Sequence, residues 1–317
     1  MSKSTIPVID ISGYLENDKL KTKEIVNSLH SAFQNPGFLQ ITGHDIPTQM
    51  RNATLSALST FFSLPLETKL SVHRNKSPCL RGYEVVGEQT LEAAVGADQK
   101  EGFMIGPELP EQGRFLQGPN QWVGEEVEVC LGFRETFMEY FTAVHELSVK
   151  VFRLVALSLG LGEGYFDEFV GSKDSIAMCR AHRYPPTTKE MAAKMRGIGA
   201  HTDFGALTLL LQDEVGGLEV YYEPEDRWYP VPYVADAFVV NIGDMLERWT
   251  NNRYKSTRHR VISPVSDKDR YSIAFFNEGL LDQVITCIPT CVEEGEEPLH
   301  EPITAEQHLR NRYGGTY

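Results

Sequence analysis

The chain lacks the features that would tie it to a membrane or to an oxidising compartment. No window approaches the ~18 apolar residues of a membrane span, and residues 1–10 carry no apolar signal-peptide segment, so we expect a cytoplasmic protein without a membrane partner. The terminal Gly315-Thr316-Tyr317 matches neither an ER-retention nor a peroxisomal address. Cysteine is scarce. Cys79, Cys130, Cys179, Cys287 and Cys291 are odd in number, scattered and without a CxxC pair, which reads as reduced thiols and argues against a structural zinc site. The Asn52-Ala53-Thr54 sequon is then idle. Positive charge is also short: 30 Lys and Arg face 44 Asp and Glu, a net charge of −14, which disfavours nucleic acid and anionic lipid as partners. No repeat or low-complexity segment is visible, and nothing marks an obligatory protein partner.

What is present suits a globular protein: 317 residues, 41% hydrophobic and 10% aromatic, enough to bury a substantial core. Residues 6–11 read as a short edge strand because of Pro7, and 19–34 as a helix with Ile25, Val26, Leu29, Ala32 and Phe33 at helical spacing. A strand at 38–43 and a helix at about 48–62 follow. Residues 71–122 are Gly-, Pro- and Asn-rich loop, with one hairpin between 81–84 and 100–105, and are a candidate pocket wall. The longest periodic run, 125–159, predicts a helix packed across a sheet. From 176 onward, short β-rich runs (176–184, 206–212, 218–222, 227–229, 237–242, 254–262, 271–276) suit an antiparallel sandwich or barrel. The fold class is therefore mixed α/β (α+β). We expect an N-terminal α/β region at 1–120, a long supporting helix at 121–172, a β core at 173–285 and a tail at 286–317, in one integrated unit.

The chemistry starts at Gly199-Ala200-His201-Thr202-Asp203-Phe204-Gly205. On a strand, His201 and Asp203 would share a face, which is how a strand offers two metal ligands. His259 follows 56 positions after Asp203. Two His and one carboxylate form the facial set that holds Fe(II) and leaves positions open for reaction, whereas a closed structural site would want a fourth ligand. Arg270 and Ser272 are again two apart on a probable strand, and a guanidinium fork with a hydroxyl grips a carboxylate. A dicarboxylate cosubstrate fits, and Tyr184, before Pro185, can point its phenol at the same group. The basic run Arg253, Lys255, Arg258 and Arg260 reads either as an anion lure or as salt-bridged surface. Phe103, Met178, Phe204, Leu246 and Phe276 are candidate substrate-pocket walls by proximity to the motifs; each alone also suits core.

Together, His201-x-Asp203, His259, Arg270-x-Ser272, the Tyr184-Pro185 step and the opening Ile6-Pro7-Val8-Ile9-Asp10 resemble the isopenicillin N synthase-like family of Fe(II)/2-oxoglutarate oxygenases, from residue 6 to about 280. The resemblance implies a double-stranded β-helix (jelly-roll) core at 173–285, with His201, Asp203 and His259 on iron. It also implies Arg270, Ser272 and Tyr184 on the distal carboxylate of 2-oxoglutarate. The implied reaction consumes O2, releases succinate and CO2, and hydroxylates, desaturates or rearranges a small biosynthetic molecule, with ascorbate supportive in vitro. Two alternatives share these motifs: an Fe(II) oxidase that does not use 2-oxoglutarate, and a non-catalytic small-molecule receptor. His182 stands where many plant members carry Asn, and reads as a hydrogen-bonded strand histidine or as a donor near the metal.

Overall fold

Runs of branched and aromatic residues such as Leu207-Thr208-Leu209-Leu210-Leu211 can only be buried on both faces, and the architecture provides two faces to bury. The computed structural model describes residues 6–111 and 113–314; the terminal tripeptide 315–317 lies outside the described residues. The chain runs β1 (Val8–Asp10), α1 (Ser12–Leu15), α2 (Lys19–Gln34), β2 (Phe38–Thr42), α3 (Thr48–Phe62), α4 (Leu66–Ser71), β3 (Gly82–Glu84), β4 (Glu101–Ile105), α5 (Phe133–Ser158) and α6 (Asp167–Gly171). It continues with β5 (Ser175–Tyr184), α7 (Lys189–Lys194), β6 (Ile198–His201), β7 (Leu207–Gln212), β8 (Leu218–Tyr222), β9 (Arg227–Pro230), β10 (Phe238–Ile242), α8 (Asp244–Trp249), β11 (His259–Val261), β12 (Arg270–Leu280), β13 (Val284–Ile285), β14 (Ile303–Thr304) and α9 (Ala305–Tyr313).

An eight-stranded sheet in the order β1-β2-β10-β7-β12-β5-β4-β3 faces a four-stranded sheet in the order β6-β11-β8-β9. Between them lies a small apolar cluster that includes Phe38, Tyr184, Leu218, Val220, Val239 and Val261. The outer face of the large sheet is covered by α2, α3 and α5 through one continuous core containing Leu29, Phe61, Phe137, Leu154, Leu209 and Phe275. Each such side chain, fully buried, contributes about 1.5–3 kcal/mol of transfer free energy. The long strands β5 and β12 pair antiparallel along almost their whole length, which sets the register of the site: Arg270 lies opposite Tyr184, and Ser272 opposite His182.

In the N-terminal region β2 pairs with β10 and the β3–β4 hairpin with β5, so both extend the large sheet. Two expectations change. The helix expected over 125–159 begins only at Phe133. Gly132 takes φ 80°, a left-handed conformation that a helix cannot pass through, and residues before it form a short 3-10 turn. The strand expected over 254–262 is confined to His259–Val261.

Candidate active site

The strand β6 ends at His201, so Asp203 sits in the turn beyond it and not on the same strand. The shared direction of the two side chains comes from that turn. Asp244 N–H donates to the Asp203 carbonyl (2.8 Å) and His308 Nε2 donates to the Phe204 carbonyl (2.8 Å), which clamp its backbone. The other histidine arrives by strand pairing, since His259 on β11 lies directly opposite His201. The three donor atoms come within 4.8 Å of one another, with His201 Nε2 at 3.8 Å and His259 Nε2 at 3.6 Å from Asp203 Oδ1.

Second contacts aim each donor. His201 Nδ1 lies 2.8 Å from the Gly199 carbonyl, and His259 Nδ1 lies 3.1 Å from the Thr257 carbonyl. A carbonyl only accepts, so Nδ1 carries the proton in both rings and each Nε2 lone pair faces the cluster. Asp203 Oδ2 accepts from Asn241 Nδ2 (2.7 Å) and Thr208 Oγ1 (2.6 Å), leaving Oδ1 turned to the histidines. Burial pushes His201 down to about 3, and His259 beside it adds to the shift. Burial lowers His259 too, but the Asp203 carboxylate overrides it and raises the imidazole. Burial alone would raise Asp203; the two histidines and Asn241 hold it well below the usual carboxylate range. Two aimed imidazole lone pairs and an ionised carboxylate suit a divalent cation of intermediate softness, iron among them.

Arg270 lines the same cavity as this cluster and is wholly buried (0% exposed). Its Nη1 reaches Ser272 Oγ at 3.2 Å and its Nη2 reaches Gln212 Oε1 at 3.3 Å, both long contacts to neutral groups, and Nε has no partner. The guanidinium stands 4.7 Å from the Tyr184 ring centroid. Burial raises the Tyr184 phenol against the opposing pull of Arg270, so it stays neutral. A buried guanidinium with an open edge and no acidic group in ion-pair range among the described residues has the chemistry to accept a carboxylate.

His201, Asp203, His259, Arg270, Ser272 and Tyr184 therefore line one cavity between the sheets. His182 lines it too, but its Nε2 has no hydrogen-bond partner, unlike the bonded strand histidine expected. A second chamber opens outward from the cluster, walled by Met104, Met178, Phe204, Phe276, Glu278 and Tyr313. Of the five candidate walls, Met178, Phe204 and Phe276 line this chamber. Phe103 and Leu246 do not. Strand alternation on β4 turns Phe103 away from the chamber into a ring cluster with Phe61, Phe133 and Trp122, and its neighbour Met104 faces the chamber instead. Leu246, on α8, is wholly buried in the main core. Gln89 and Leu91, from the loop read as a candidate pocket wall, line both chambers, as does Arg180. Two of the four residues of the basic run are occupied elsewhere: Arg260 pairs with Glu219 (2.7 Å) and Arg258 covers the Tyr221 ring.

Among known proteins, residues 175–279 match the 2OG-Fe(II) oxygenase superfamily model and residues 6–125 match that of the non-haem dioxygenase in morphine synthesis N-terminal region. The chain is 41% identical to the 2-oxoglutarate-Fe(II) type oxidoreductase hxnY of Emericella nidulans, covering 100% of this chain and 92% of the relative. It is 36% identical to the clavatol oxidase claD of Penicillium crustosum over 98% of this chain and 96% of the relative. In three dimensions it is similar to a full-length Neurospora crassa protein solved in complex with alpha-KG, with a TM-score of 0.89, 31% identity and coverage of 99% and 98% of the two chains. The two facing sheets are the double-stranded β-helix, and the chain belongs to the 2OG-Fe(II) oxygenase superfamily: it is a non-haem Fe(II)- and 2-oxoglutarate-dependent dioxygenase.

Proposed function

We propose that His201, Asp203 and His259 hold the iron, that Arg270, Ser272 and Tyr184 hold the distal carboxylate of 2-oxoglutarate, and that the outer chamber takes a small organic substrate over Met178, Phe204 and Phe276. The observation that carries this reading is Arg270: a wholly buried guanidinium, its Nε unpartnered, in the same cavity as the three aimed donors. Iron with 2-oxoglutarate and O2 supplies the oxidising chemistry, in which one oxygen atom leaves in succinate beside CO2 and the other serves to oxidise a substrate C–H. The protein's own contribution is placement. The Gly199 and Thr257 carbonyls fix the imidazoles, Asn241 and Thr208 fix the carboxylate, and the apolar walls keep bulk water from the reacting C–H. The same Neurospora crassa protein has been solved with alpha-KG and thymine together, which supports a substrate of that small size in the outer chamber.

The reading extends to a single chain acting in the cytoplasm on a small molecule, without nucleic acid, membrane or an obligatory protein partner. All five cysteines are free thiols, and no helix among the described residues is long and apolar enough to cross a membrane, in keeping with that reading. The test is anaerobic Fe(II) calorimetry on the wild type and His201→Ala, followed by succinate and O2 measurements. Loss of Fe(II) binding with the thermal transition retained is expected. Fe(II) binding unchanged in His201→Ala would remove His201 from the ligand set, and turnover without succinate would favour the oxidase that dispenses with 2-oxoglutarate.

A further inference from the structure

One strand lines both chambers. On β12, Arg270, Ser272, Phe276 and Glu278 all line the two chambers, Arg270 and Ser272 the inner one and Glu278 the outer one. The two-residue period of the strand holds through Glu278, which keeps it on the face of Phe276. The pairing of β12 with β5 shifts between Asn277 and Gly279, a bulge that leaves Glu278 without a cross-strand partner.

Glu278 is an expensive residue to place there. Glu278 is 3% exposed, its Oε2 has no hydrogen-bond partner, and no cation pairs with it among the described residues. A buried polar group left unsatisfied destabilises a fold by about 1–3 kcal/mol, so an apolar residue at 278 would serve packing better. The fold is nevertheless built around this carboxyl. A Cβ on Gly205 would fall 1.3 Å from Glu278 Oε2, so the glycine two residues past Asp203 leaves the space that the carboxyl fills. Burial, with the Asp203 and Asp244 carboxylates adding to it, pushes Glu278 up to about 8. In either protonation state one oxygen remains an acceptor.

We infer that Glu278 is a substrate-recognition residue: its carboxyl oxygen accepts a hydrogen bond from an N–H or O–H group of the substrate, and that bond turns the C–H to be oxidised toward the metal cluster. The substrate class is then a small molecule with apolar surface for Met178, Phe204 and Phe276 and one hydrogen-bond donor at its inner edge, such as a lactam, an imide or a hydroxylated ring. The inference rests on the outer chamber being the substrate site, as proposed above.

The test uses the full chain, loaded anaerobically with Fe(II) and 2-oxoglutarate and titrated with matched probes while the visible absorbance of the complex is followed. Uracil is set against 1,3-dimethyluracil, 2-pyridone against N-methyl-2-pyridone, and 4-hydroxyacetophenone against 4-methoxyacetophenone. We expect at least one donor probe to bind the wild type about ten-fold more tightly than its methylated partner. Glu278→Met should erase that preference, and Glu278→Gln, which keeps an acceptor oxygen, should retain it. The inference is overturned if no donor probe binds the wild type more tightly than it binds Glu278→Met, or if the wild type shows no preference within any pair. Should Glu278→Met fail to fold, the wild-type pairs and Glu278→Gln still decide: loss of the preference in the Gln variant overturns the acceptor role. Absence of the Fe(II)/2-oxoglutarate absorbance band in the wild type, before any probe is added, would count against the underlying reading of the site instead.

Discussion

Replacing Arg270 with Lys keeps the positive charge and removes the fork. The guanidinium is wholly buried, stands 4.7 Å from the Tyr184 ring centroid and has only two contacts, both longer than 3.1 Å, to the neutral Ser272 and Gln212. An arriving carboxylate would therefore meet a charged donor with open positions and form two parallel hydrogen bonds, where an ammonium on a thinner stem forms one. Losing one charge-assisted bond costs about 1.5–3 kcal/mol, which raises the dissociation constant of 2-oxoglutarate by about 10–150-fold. The assay is anaerobic titration of the Fe(II) enzyme through its charge-transfer absorbance. The comparator is 2-oxopentanoate, which has the same keto-acid head and no distal carboxylate. Its affinity should change by no more than about three-fold, since it never made the lost bond. Equal weakening of both keto acids would show that Arg270 shapes the cavity without reading the carboxylate, and unchanged affinity for 2-oxoglutarate would refute the seat altogether.

Asn241→Val removes the 2.7 Å hydrogen bond that holds Asp203 Oδ2; Fe(II) affinity measured by calorimetry should fall by about 10–100-fold, and unchanged affinity would show that Thr208 suffices. Next to Arg180, which lines both chambers, Glu84 is buried among Arg180, Lys100 (3.2 Å) and Arg74 (3.1 Å). Glu84→Gln leaves these cations without that carboxylate and should destabilise the fold by about 3–5 kcal/mol in denaturant unfolding; a loss under about 1 kcal/mol would refute a structural role for the pair network. Burial pushes Glu84 up, and the three cations override it, holding the carboxyl well below its ordinary value of 4.5. Its contribution is thus complete above about pH 4.5 and is lost as the pH falls below it, so the gap in thermal midpoint between wild type and Glu84→Gln should narrow in acid, and a gap that widens would contradict the sign.

The motifs were legible because they depend on residue identity and order. His201, Asp203, His259, Arg270 and Ser272 are chemically demanding types in a distinctive sequence, and periodicity marked α2, α3 and most of the strands that carry them. Their reason for sharing a face was less legible. Local alternation suggested a strand through Asp203, while the chain leaves the strand at His201 and relies on a clamped turn, whose anchors Asp244 and His308 are remote in sequence. Phe103 failed as a pocket wall for a related reason: both faces of its strand are buried, so hydrophobicity could not tell which face looks into the chamber.

The sequence by itself determined the kind of chemistry and the ligand types, since these follow from side chains and their order. Only the tertiary structure decided which atoms face the cluster and what stands across from it. The β6–β11 pairing sets His259 opposite His201, the β5–β12 register sets Arg270 opposite Tyr184, and β12 carries Glu278 against Gly205. Those relations are set by strand register between segments far apart in the chain, where a slip of one residue reverses every side chain, and no local pattern carries that information.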